Sequence, residues 1–202
     1  MAIKPLFSVP SAHYSIDNWE TNKQIILDAL PTRVSEHLDS NGLVYTDFFH
    51  QDQAGLPEYA DTVLPIIGPY LTHFSEGACI EFTDMWFQTA LRNQRHPMHN
   101  HGGVGWSAVI YVEFDPTVHT STQFISPFDN PWNGQVQTFS PPMREGDMII
   151  FPASLKHEAL ENNSDVRRTI ISFNLRGHVT KVRETMGFGL PARNRGLSLG
   201  MV

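Results

Sequence analysis

Three histidines fall within six residues of the sequence, and they are the side chains most suited to chemistry. Two of them, His99 and His101, are spaced two residues apart and run directly into the apolar, β-branched segment 106–112. Alternate side chains of a β-strand point to the same face, so both imidazoles can converge on one point. A third histidine, His157, follows another strand-like segment far along the chain. Two close ligands and one distant ligand are typical of a mononuclear metal site on a β-scaffold, which is predicted here.

Three histidines on one side of an ion leave positions open for water or substrate, and imidazole suits iron, zinc, copper or nickel. His96 is the remaining histidine of the cluster, but Pro97 separates it from the pair. Because proline interrupts strand pairing, His96 is predicted to be a neighbour of the site or a surface residue rather than a ligand.

Two adjacent arginines, Arg167 and Arg168, follow His157 by ten and eleven residues. A guanidinium beside a metal is suited to holding a carboxylate through two parallel hydrogen bonds. Strand alternation places Arg168 on one face with Ile170, and Arg167 on the other. Only one arginine can therefore point inward, and the other is expected to form a surface ion pair.

The composition is that of an ordinary globular protein, with 202 residues, 41% hydrophobic and 17% charged, and a mean hydropathy of −0.25. The formal net charge of −7 argues against general nucleic-acid binding. No apolar run is long enough for a membrane span, and the first residues do not resemble a secretory signal. Cys79 is the only cysteine, which suits a reducing compartment, so a cytoplasmic location is expected.

The sequence divides into three parts by its residue patterns. Residues 1–76 are predicted to form a helical and extended buttress. A first helix is predicted to open at 15–20, where Asp17 and Glu20 have the spacing of a capping box, and a shorter helix or turn is predicted at 32–39. A third helix is predicted from 57 to 74, kinked or split by two prolines. Residues 77–180 are predicted to form the metal-binding β-core. Residues 181–202 are expected to be an irregular basic arm, docked on the body or used between subunits of a homo-oligomer.

The β-core is predicted from six strand-length segments separated by turn-forming residues. They are Cys79–Leu91, Gly105–Phe114, Gln123–Ser126, Gln135–Phe139, Met148–Phe151 and Val166–Leu175. Short strands without intervening helices predict a mainly β fold with an antiparallel sandwich or barrel. Trp86, Gln88 and Trp106 flank the histidine motif and could line a substrate pocket, although core packing is at least as good an explanation for the tryptophans.

Taken together, three motifs resemble a family of 2-oxoglutarate–Fe(II) oxygenases. They are the His-Asn-His-Gly-Gly motif with the strand after it, Glu-Gly-Asp-Met-Ile-Ile-Phe-Pro followed by a histidine, and Asn-Asn-Ser-Asp-Val-Arg-Arg-Thr-Ile-Ile-Ser-Phe-Asn. The resemblance covers about residues 78–176. Members of this family are frequent in phages, including those of marine cyanobacteria, so a phage-encoded member would work in the host cytoplasm.

The resemblance implies a double-stranded β-helix (jelly roll) in which a His-x-acid…His triad holds Fe(II) and a distal arginine binds the far carboxylate of 2-oxoglutarate. His99 and His157 match the two histidines, and Arg168 matches the arginine. Tyr111 matches a tyrosine that related hydroxylases place near the same carboxylate. His101 takes the acidic position, and Arg168-Thr-Ile replaces the usual Arg-x-Ser.

The expected function is therefore an Fe(II)- and 2-oxoglutarate-dependent dioxygenase that uses O2 to hydroxylate a protein, nucleobase or small molecule. Because His101 replaces an acid, a three-histidine dioxygenase that does not use 2-oxoglutarate is one alternative. A non-catalytic jelly-roll virion or assembly protein with a structural metal is another, suggested by the glycine-rich arm. A His-x-Gly pair of His101 and Gly103, as in iron halogenases, would leave His99 without a role.

Overall fold

A computed structural model describes residues 8–31, 44–49, 55–76 and 79–177, and these residues form two helices and ten strands. In chain order they are β1 (Ala12–Ser15), α1 (Trp19–Ala29), β2 (Tyr45–Thr46), α2 (Ala60–Ser75), β3 (Ile80–Ala90), β4 (His96–His99), β5 (Trp106–Glu113), β6 (Gln123–Ile125), β7 (Thr138–Phe139), β8 (Asp147–Pro152), β9 (His157–Ala159) and β10 (Arg168–Gly177). The predicted element at 32–39 and the arm 181–202 lie outside the described residues.

The strands form two antiparallel sheets. The major sheet has the order β1-β8-β5-β10-β3-β2, and the minor sheet has the order β4-β9-β6-β7. The short strands β4 and β9 were not predicted, because three or four residues show no clear alternation. Two facing antiparallel sheets with helices on one side have the architecture expected for a jelly roll.

Both helices pack on the outer face of the major sheet and form the outer core. Ile26 of α1 and Val63 and Ile67 of α2 are fully buried there against strand residues such as Phe87 and Phe173. This is the position predicted for the helical buttress. Among the described residues, no helix is both long and apolar enough to cross a membrane.

Helix α2 runs as one helix through its two prolines. Its buried residues recur at three- and four-residue steps, as predicted, and Pro65 and Pro69 lie on its exposed side. Each proline removes one backbone hydrogen bond to the preceding turn. Because the freed carbonyls face solvent, the prolines do not split the helix.

Helix α1 begins later than predicted. Ser15 lies in β1, which pairs with β8, so the helix starts at Trp19 and the proposed capping box is wrong. The residue before the helix is Asn18, with a positive φ of 53° and no side-chain cap. Trp19, the first residue of the helix, packs on Gly146. A Cβ added to Gly146 would lie 2.6 Å from the indole, and the φ of Gly146 is +84°. Tertiary pairing of the chain before the helix thus overrides the local capping signal.

A second, smaller core lies between the two sheets. Val109, Ile149 and Phe151 of the major sheet meet Phe124 of the minor sheet in this inner core. Neighbouring residues in the same strands, such as Ile110 and Ile150, belong to the outer core. The alternation of each strand therefore assigns one set of side chains to the helices and the other to the space between the sheets.

Candidate metal centre and adjoining cleft

Two of the three candidate ligands lie opposite each other on neighbouring strands. His99 ends β4 and His157 begins β9, and their Cα positions are paired in the sheet. His96 belongs to the same strand, so Pro97 does not end the strand as expected, although the pairing with β9 shifts register between His96 and His99. The strand tolerates the proline because β4 is an edge strand, where one ladder hydrogen bond can be absent.

The third candidate, His101, lies just beyond β4 rather than on it, so strand spacing does not account for its position. Its backbone N–H donates to the carbonyl of Ala153 at 2.9 Å, which ties the loop after β4 to the end of β8. The loop then enters β5 at Gly105, where φ is +101° and an added Cβ would lie 2.5 Å from the Leu175 carbonyl oxygen. Only glycine fits this close approach of two backbones.

The three imidazoles nevertheless converge. Ring centroids are 4.4 Å apart for His99 and His157 and 5.1 Å apart for His101 and each of the others. His99 Nδ1 lies 2.8 Å from the Pro97 carbonyl oxygen, and His157 Nδ1 lies 2.9 Å from that of Leu155. A carbonyl can only accept, so both Nδ1 atoms carry the proton and both Nε2 atoms keep their lone pair.

The cluster is held in the neutral form that binds metals. Burial and the nearby His99 lower the pKa of His157 to about 3. Burial and His99 also lower the pKa of His101, to about 4, although Asn174 and Asp84 oppose this shift. The pKa of His99 is lowered by burial as well. Three uncharged imidazoles at neutral pH are therefore available as ligands without loss of a proton.

The donor set fits a divalent transition metal. One candidate ligand atom from each histidine lies within 4.8 Å of the others, and no carboxylate of the described residues joins the group. His101 Nε2 is buried without a hydrogen-bond partner among the described residues, which is costly for a polar atom unless an ion or ligand completes it. Three imidazole nitrogens suit Fe(II), Zn(II), Cu(II) or Ni(II) better than magnesium or calcium.

A narrow cleft with a cavity volume of about 20 Å³ lies beside the three histidines. Trp86 and Gln88 line it, as predicted, and the Trp86 indole stacks on His101 with centroids 5.3 Å apart. His96 also lines it, stacked on His99 at 4.1 Å and hydrogen-bonded to Gln88. Trp106 packs against Phe74 of α2, so it belongs to the outer core and not to the cleft.

The two arginines separate as strand alternation predicted. Arg167 is half-exposed and binds both carboxylate oxygens of Glu113, at 2.8 and 2.6 Å. Arg168 is 5% exposed, and its guanidinium donates to the Thr120 carbonyl at 3.4 Å. No carboxylate of the described residues forms an ion pair with Arg168, and burial lowers its pKa. Within the described residues, the buried guanidinium therefore has no anionic partner.

Tyr111 lies near Arg168 and belongs to the inner core between the two sheets. Its hydroxyl donates to Thr122 Oγ1 at 2.9 Å and accepts from the Thr122 backbone N–H at 3.0 Å. Thr122 itself lines the cleft, as does Ile170, the strand partner of Tyr111. Burial raises the pKa of Tyr111, while the charge of Arg168 opposes that shift, so the hydroxyl keeps its proton.

Two polar residues of the site were not singled out in the sequence. Thr122 stands just before the short strand β6, and its contact with Tyr111 is not visible in the local sequence. Asn174 lies near the end of β10 and opposes the lowering of the His101 pKa. The sequence signal that could have identified it is a polar residue at an inward-facing strand position.

Comparison with known proteins supports the family resemblance. Residues 84–174 match the model of a family described as "Putative 2OG-Fe(II) oxygenase". This segment contains all five predicted site residues and covers somewhat less than half of the chain. The chain has no match among curated protein sequences.

Solved structures share the fold at low sequence identity. The non-heme alpha-ketoglutarate-dependent carbocyclase SnoK from nogalamycin biosynthesis is 15% identical, with a TM-score of 0.60 over 94% of this chain and 89% of that one. The epimerase SnoN, solved in complex with Fe3+, alpha-ketoglutarate and nogalamycin RO, is 15% identical, with a TM-score of 0.59 over 96% and 91%. A Pseudomonas putida prolyl-4-hydroxylase is 13% identical, with a TM-score of 0.57 over 84% and 93%. The predicted family resemblance and the jelly-roll fold are confirmed, and a phage origin is not supported by these matches.

Proposed function

We propose that this chain, whose residues 84–174 match the 2OG-Fe(II) oxygenase model and whose fold is that of such enzymes, is an Fe(II)- and 2-oxoglutarate-dependent dioxygenase that hydroxylates its substrate. The observation that carries the proposal is the combination of two features. Three neutral imidazoles line the cleft, and a buried arginine without a carboxylate partner among the described residues begins β10 of the major sheet, on the same face as the cleft residues Ile170 and Ser172. His99, His101 and His157 would hold the iron.

Arg168 supplies the positive charge for the cosubstrate. A buried guanidinium is unfavourable unless it is paired, and the described residues offer it a backbone carbonyl but no carboxylate. A dicarboxylate that reaches from the histidines towards Arg168 would complete the arginine through a bidentate pair. Ile170 and Ser172, on the same face of β10, line the cleft between these two ends.

Tyr111 would support the same carboxylate. Its hydroxyl can turn from Thr122 towards the cosubstrate, or it can hold Thr122 so that the threonine hydroxyl makes the contact. Either arrangement supplies the hydrogen bond that the usual Arg-x-Ser motif would give, since Ile170 stands at the serine position here.

Iron and 2-oxoglutarate, when bound, supply the activation of O2 and the oxidation of substrate. The chain contributes positioning and exclusion of water. The Pro97 and Leu155 carbonyls orient two ligands, and Phe151 packs edge-on against His157 at 4.8 Å. Trp86 forms a wall against His101. The structural neighbours catalyse carbocyclisation, epimerisation and prolyl hydroxylation, so hydroxylation is proposed from the sequence resemblance rather than from the fold.

One alternative has a specific observation in its favour. The donor group contains no carboxylate among the described residues, as a three-histidine dioxygenase that does not use 2-oxoglutarate would require. In that enzyme Arg168 would be dispensable or would hold the carboxylate of the substrate itself. The alternative of a virion or assembly protein rests on the arm 181–202, which lies outside the described residues.

We also propose a cellular location, cosubstrates and partners for the protein. The buried Cys79 fits a reducing compartment, so we place the protein in the cytoplasm, or in the host cytoplasm if a phage encodes it. 2-Oxoglutarate and O2 would be cosubstrates. The main substrate would be a protein, nucleobase or small molecule, and the arm 181–202 would connect subunits of a homo-oligomer.

Release of succinate tests the proposal. The purified protein should convert 2-oxoglutarate to succinate only with Fe(II) and O2, and Arg168→Ala and His157→Ala should abolish this turnover. Arg167→Ala is the matched control, because it removes the neighbouring arginine from the opposite face. Tight zinc binding without any binding of 2-oxoglutarate would overturn the proposal, and Fe(II)-dependent O2 consumption that needs no 2-oxoglutarate would favour the three-histidine alternative.

A further inference from the structure

A second and much larger cavity lies at the other end of the major sheet from the histidine cleft. It adjoins the end of β1 at Ser15, the end of β5 at Phe114 and the start of β8 at Asp147, and its volume is about 610 Å³. The histidine cleft lies against the first half of β5, at residues 107–109, and the two cavities share no lining residue. Pockets of roughly 300–1,000 Å³ are typical of sites for small organic ligands. The large cavity therefore has the size of a ligand site separate from the metal centre.

One part of the wall of this large cavity is apolar. Phe114 and Met143 line the cavity and are buried in the inner core. Pro116, Pro141 and Pro142 add further apolar surface. Because core packing or a proline ring restricts each of these residues, this part of the wall is formed before any ligand binds and suits an apolar body.

Several polar side chains of the wall already have hydrogen-bond partners within the protein. Asp147 accepts from the Ser15 hydroxyl at 2.6 Å and from the Arg144 backbone N–H at 2.7 Å. The Ser121 hydroxyl donates to a backbone carbonyl at 2.5 Å. Both ring nitrogens of His119 bond to backbone groups, at 3.1 and 3.0 Å. These side chains are held in place by the fold and do not need a ligand.

Two other groups of the wall have no partner among the described residues. The Ser140 hydroxyl oxygen is buried and forms no hydrogen bond there, which is unfavourable for a polar atom. Arg144 is exposed, and its guanidinium forms neither an ion pair nor a hydrogen bond within the described part of the chain. A serine hydroxyl can turn between staggered rotamers, so one carboxylate in the cavity could accept from both groups.

We propose that the large cavity binds a small organic carboxylate that carries an apolar body. Arg144 and Ser140 would bind the carboxylate group, and Phe114 and Met143 would contact the apolar body. A neutral apolar ligand would leave both polar groups without a partner, and an ammonium ligand would be repelled by the guanidinium. Asp147, the carboxylate of the wall, already accepts two hydrogen bonds. The proposal depends neither on the metal centre nor on the use of 2-oxoglutarate.

Calorimetric titration of the purified protein with sodium octanoate tests the proposal. One octanoate should bind per chain, and 1-octanol, which has the same apolar chain without the charge, should bind about fivefold more weakly or less tightly still. Arg144→Gln should weaken octanoate binding by about fivefold, the effect of losing an exposed ion pair. Thr120→Trp places a bulky ring at an exposed position of the wall and should abolish octanoate binding.

Two serines of the wall form a matched pair that separates ligand binding from support of the fold. Ser140→Ala should weaken octanoate binding by about two- to tenfold, since it removes a hydrogen bond to the ligand. It should not lower the urea midpoint of the ligand-free protein, because this hydroxyl has no partner there. Ser121→Ala should lower the urea midpoint and leave octanoate affinity unchanged, because its hydroxyl is bonded within the protein.

Two controls separate the large cavity from the metal centre. Octanoate affinity should be unchanged in His157→Ala and in the presence of saturating 2-oxoglutarate, because the two cavities share no lining residue. The proposal would be overturned if octanoate did not bind, if 1-octanol bound equally well, or if binding were lost in His157→Ala or displaced by 2-oxoglutarate. Octanoate affinity that is unchanged in Arg144→Gln, Ser140→Ala and Thr120→Trp would overturn it as well. A failure of succinate release would overturn the proposed function alone and leave this site standing.

Discussion

The two faces of the major sheet are both buried, but different kinds of side chain cover them. The outer face is mainly apolar and packs on α1 and α2, and its buried polar residues Thr89 and Thr169 are hydrogen-bonded to each other at 3.0 Å. Its fully buried residues include Met85, Phe87, Ile110, Ile171 and Phe173. The inner face mixes an apolar patch with buried polar groups. These include Gln88, Ser107, Tyr111, Arg168 and Ser172.

The two faces also differ in whether their buried side chains have partners among the described residues. On the outer face most buried side chains are apolar and need no specific partner, although the Trp19 indole Nε1 is buried there without one among the described residues. On the inner side, His101 Nε2 lacks a partner and Arg168 lacks a carboxylate among the described residues. Packing on the outer face should therefore set the stability of the fold, while the inner face is arranged for ligands that arrive from outside.

The largest expected effect is loss of the metal centre. His157→Ala removes a ligand whose geometry the Leu155 carbonyl fixes, so Fe(II) affinity and turnover should fall by more than the roughly 100-fold that loss of an outer partner causes. His13→Ala, at an exposed histidine of β1, should leave both unchanged. Metal content after gel filtration measures this, and stoichiometric iron in His157→Ala would show that the ligand lies elsewhere.

A pair of adjacent residues on β10 tests the division between the faces. Phe173→Ala should lower the free energy of unfolding by about 3–5 kcal/mol, because Phe173 is fully buried in the outer core. Ser172→Ala, one position away on the cleft side, should lower it by about 1 kcal/mol or less. Urea denaturation gives both values. If Ser172→Ala lowers the free energy of unfolding more than Phe173→Ala does, the proposed difference between the two faces is contradicted.

Loss of the buried arginine should act on the cosubstrate. Arg168→Ala should weaken 2-oxoglutarate binding by about 2–5 kcal/mol, the range found when one member of a buried charge pair is removed. Iron affinity should change little, because Arg168 is not a candidate ligand. Calorimetric titration with 2-oxoglutarate on the metal-loaded protein measures it, and unchanged affinity would remove Arg168 from the cosubstrate site.

The smallest effect is expected for the outward arginine. Arg167→Ala breaks a half-exposed ion pair with Glu113, which should change stability by about 0–1 kcal/mol and leave 2-oxoglutarate affinity unaltered. Thermal unfolding and the same calorimetric titration report the two quantities. A larger loss of cosubstrate affinity than in Arg168→Ala would reverse the assignment of the two faces.

Much of the site can be predicted from the types of residue and from the alternation of side chains along a strand. His99 and His157 were identified from the kinds of residue and their spacing, and Arg168 was separated from Arg167 by a period of two, which the structure reproduces. The separation of the two arginines depends only on local geometry within one strand.

The rest depends on contacts between distant segments. His101 comes close to the other histidines through its backbone hydrogen bond to Ala153 and not through strand spacing. Trp106 was considered for the cleft but packs on Phe74, because the helix that covers it lies some thirty residues earlier in the chain. The capping signal at Asp17 failed for the same reason, since β1 pairs with β8.

The most direct test of the central claim is a crystal structure of the protein loaded anaerobically with Fe(II) and 2-oxoglutarate. The account predicts an anomalous iron peak within about 2.2 Å of one nitrogen from each of His99, His101 and His157. It also predicts a 2-oxoglutarate carboxylate paired with the Arg168 guanidinium. Iron bound without His101, or a cosubstrate whose carboxylate leaves Arg168 unpaired, would contradict it.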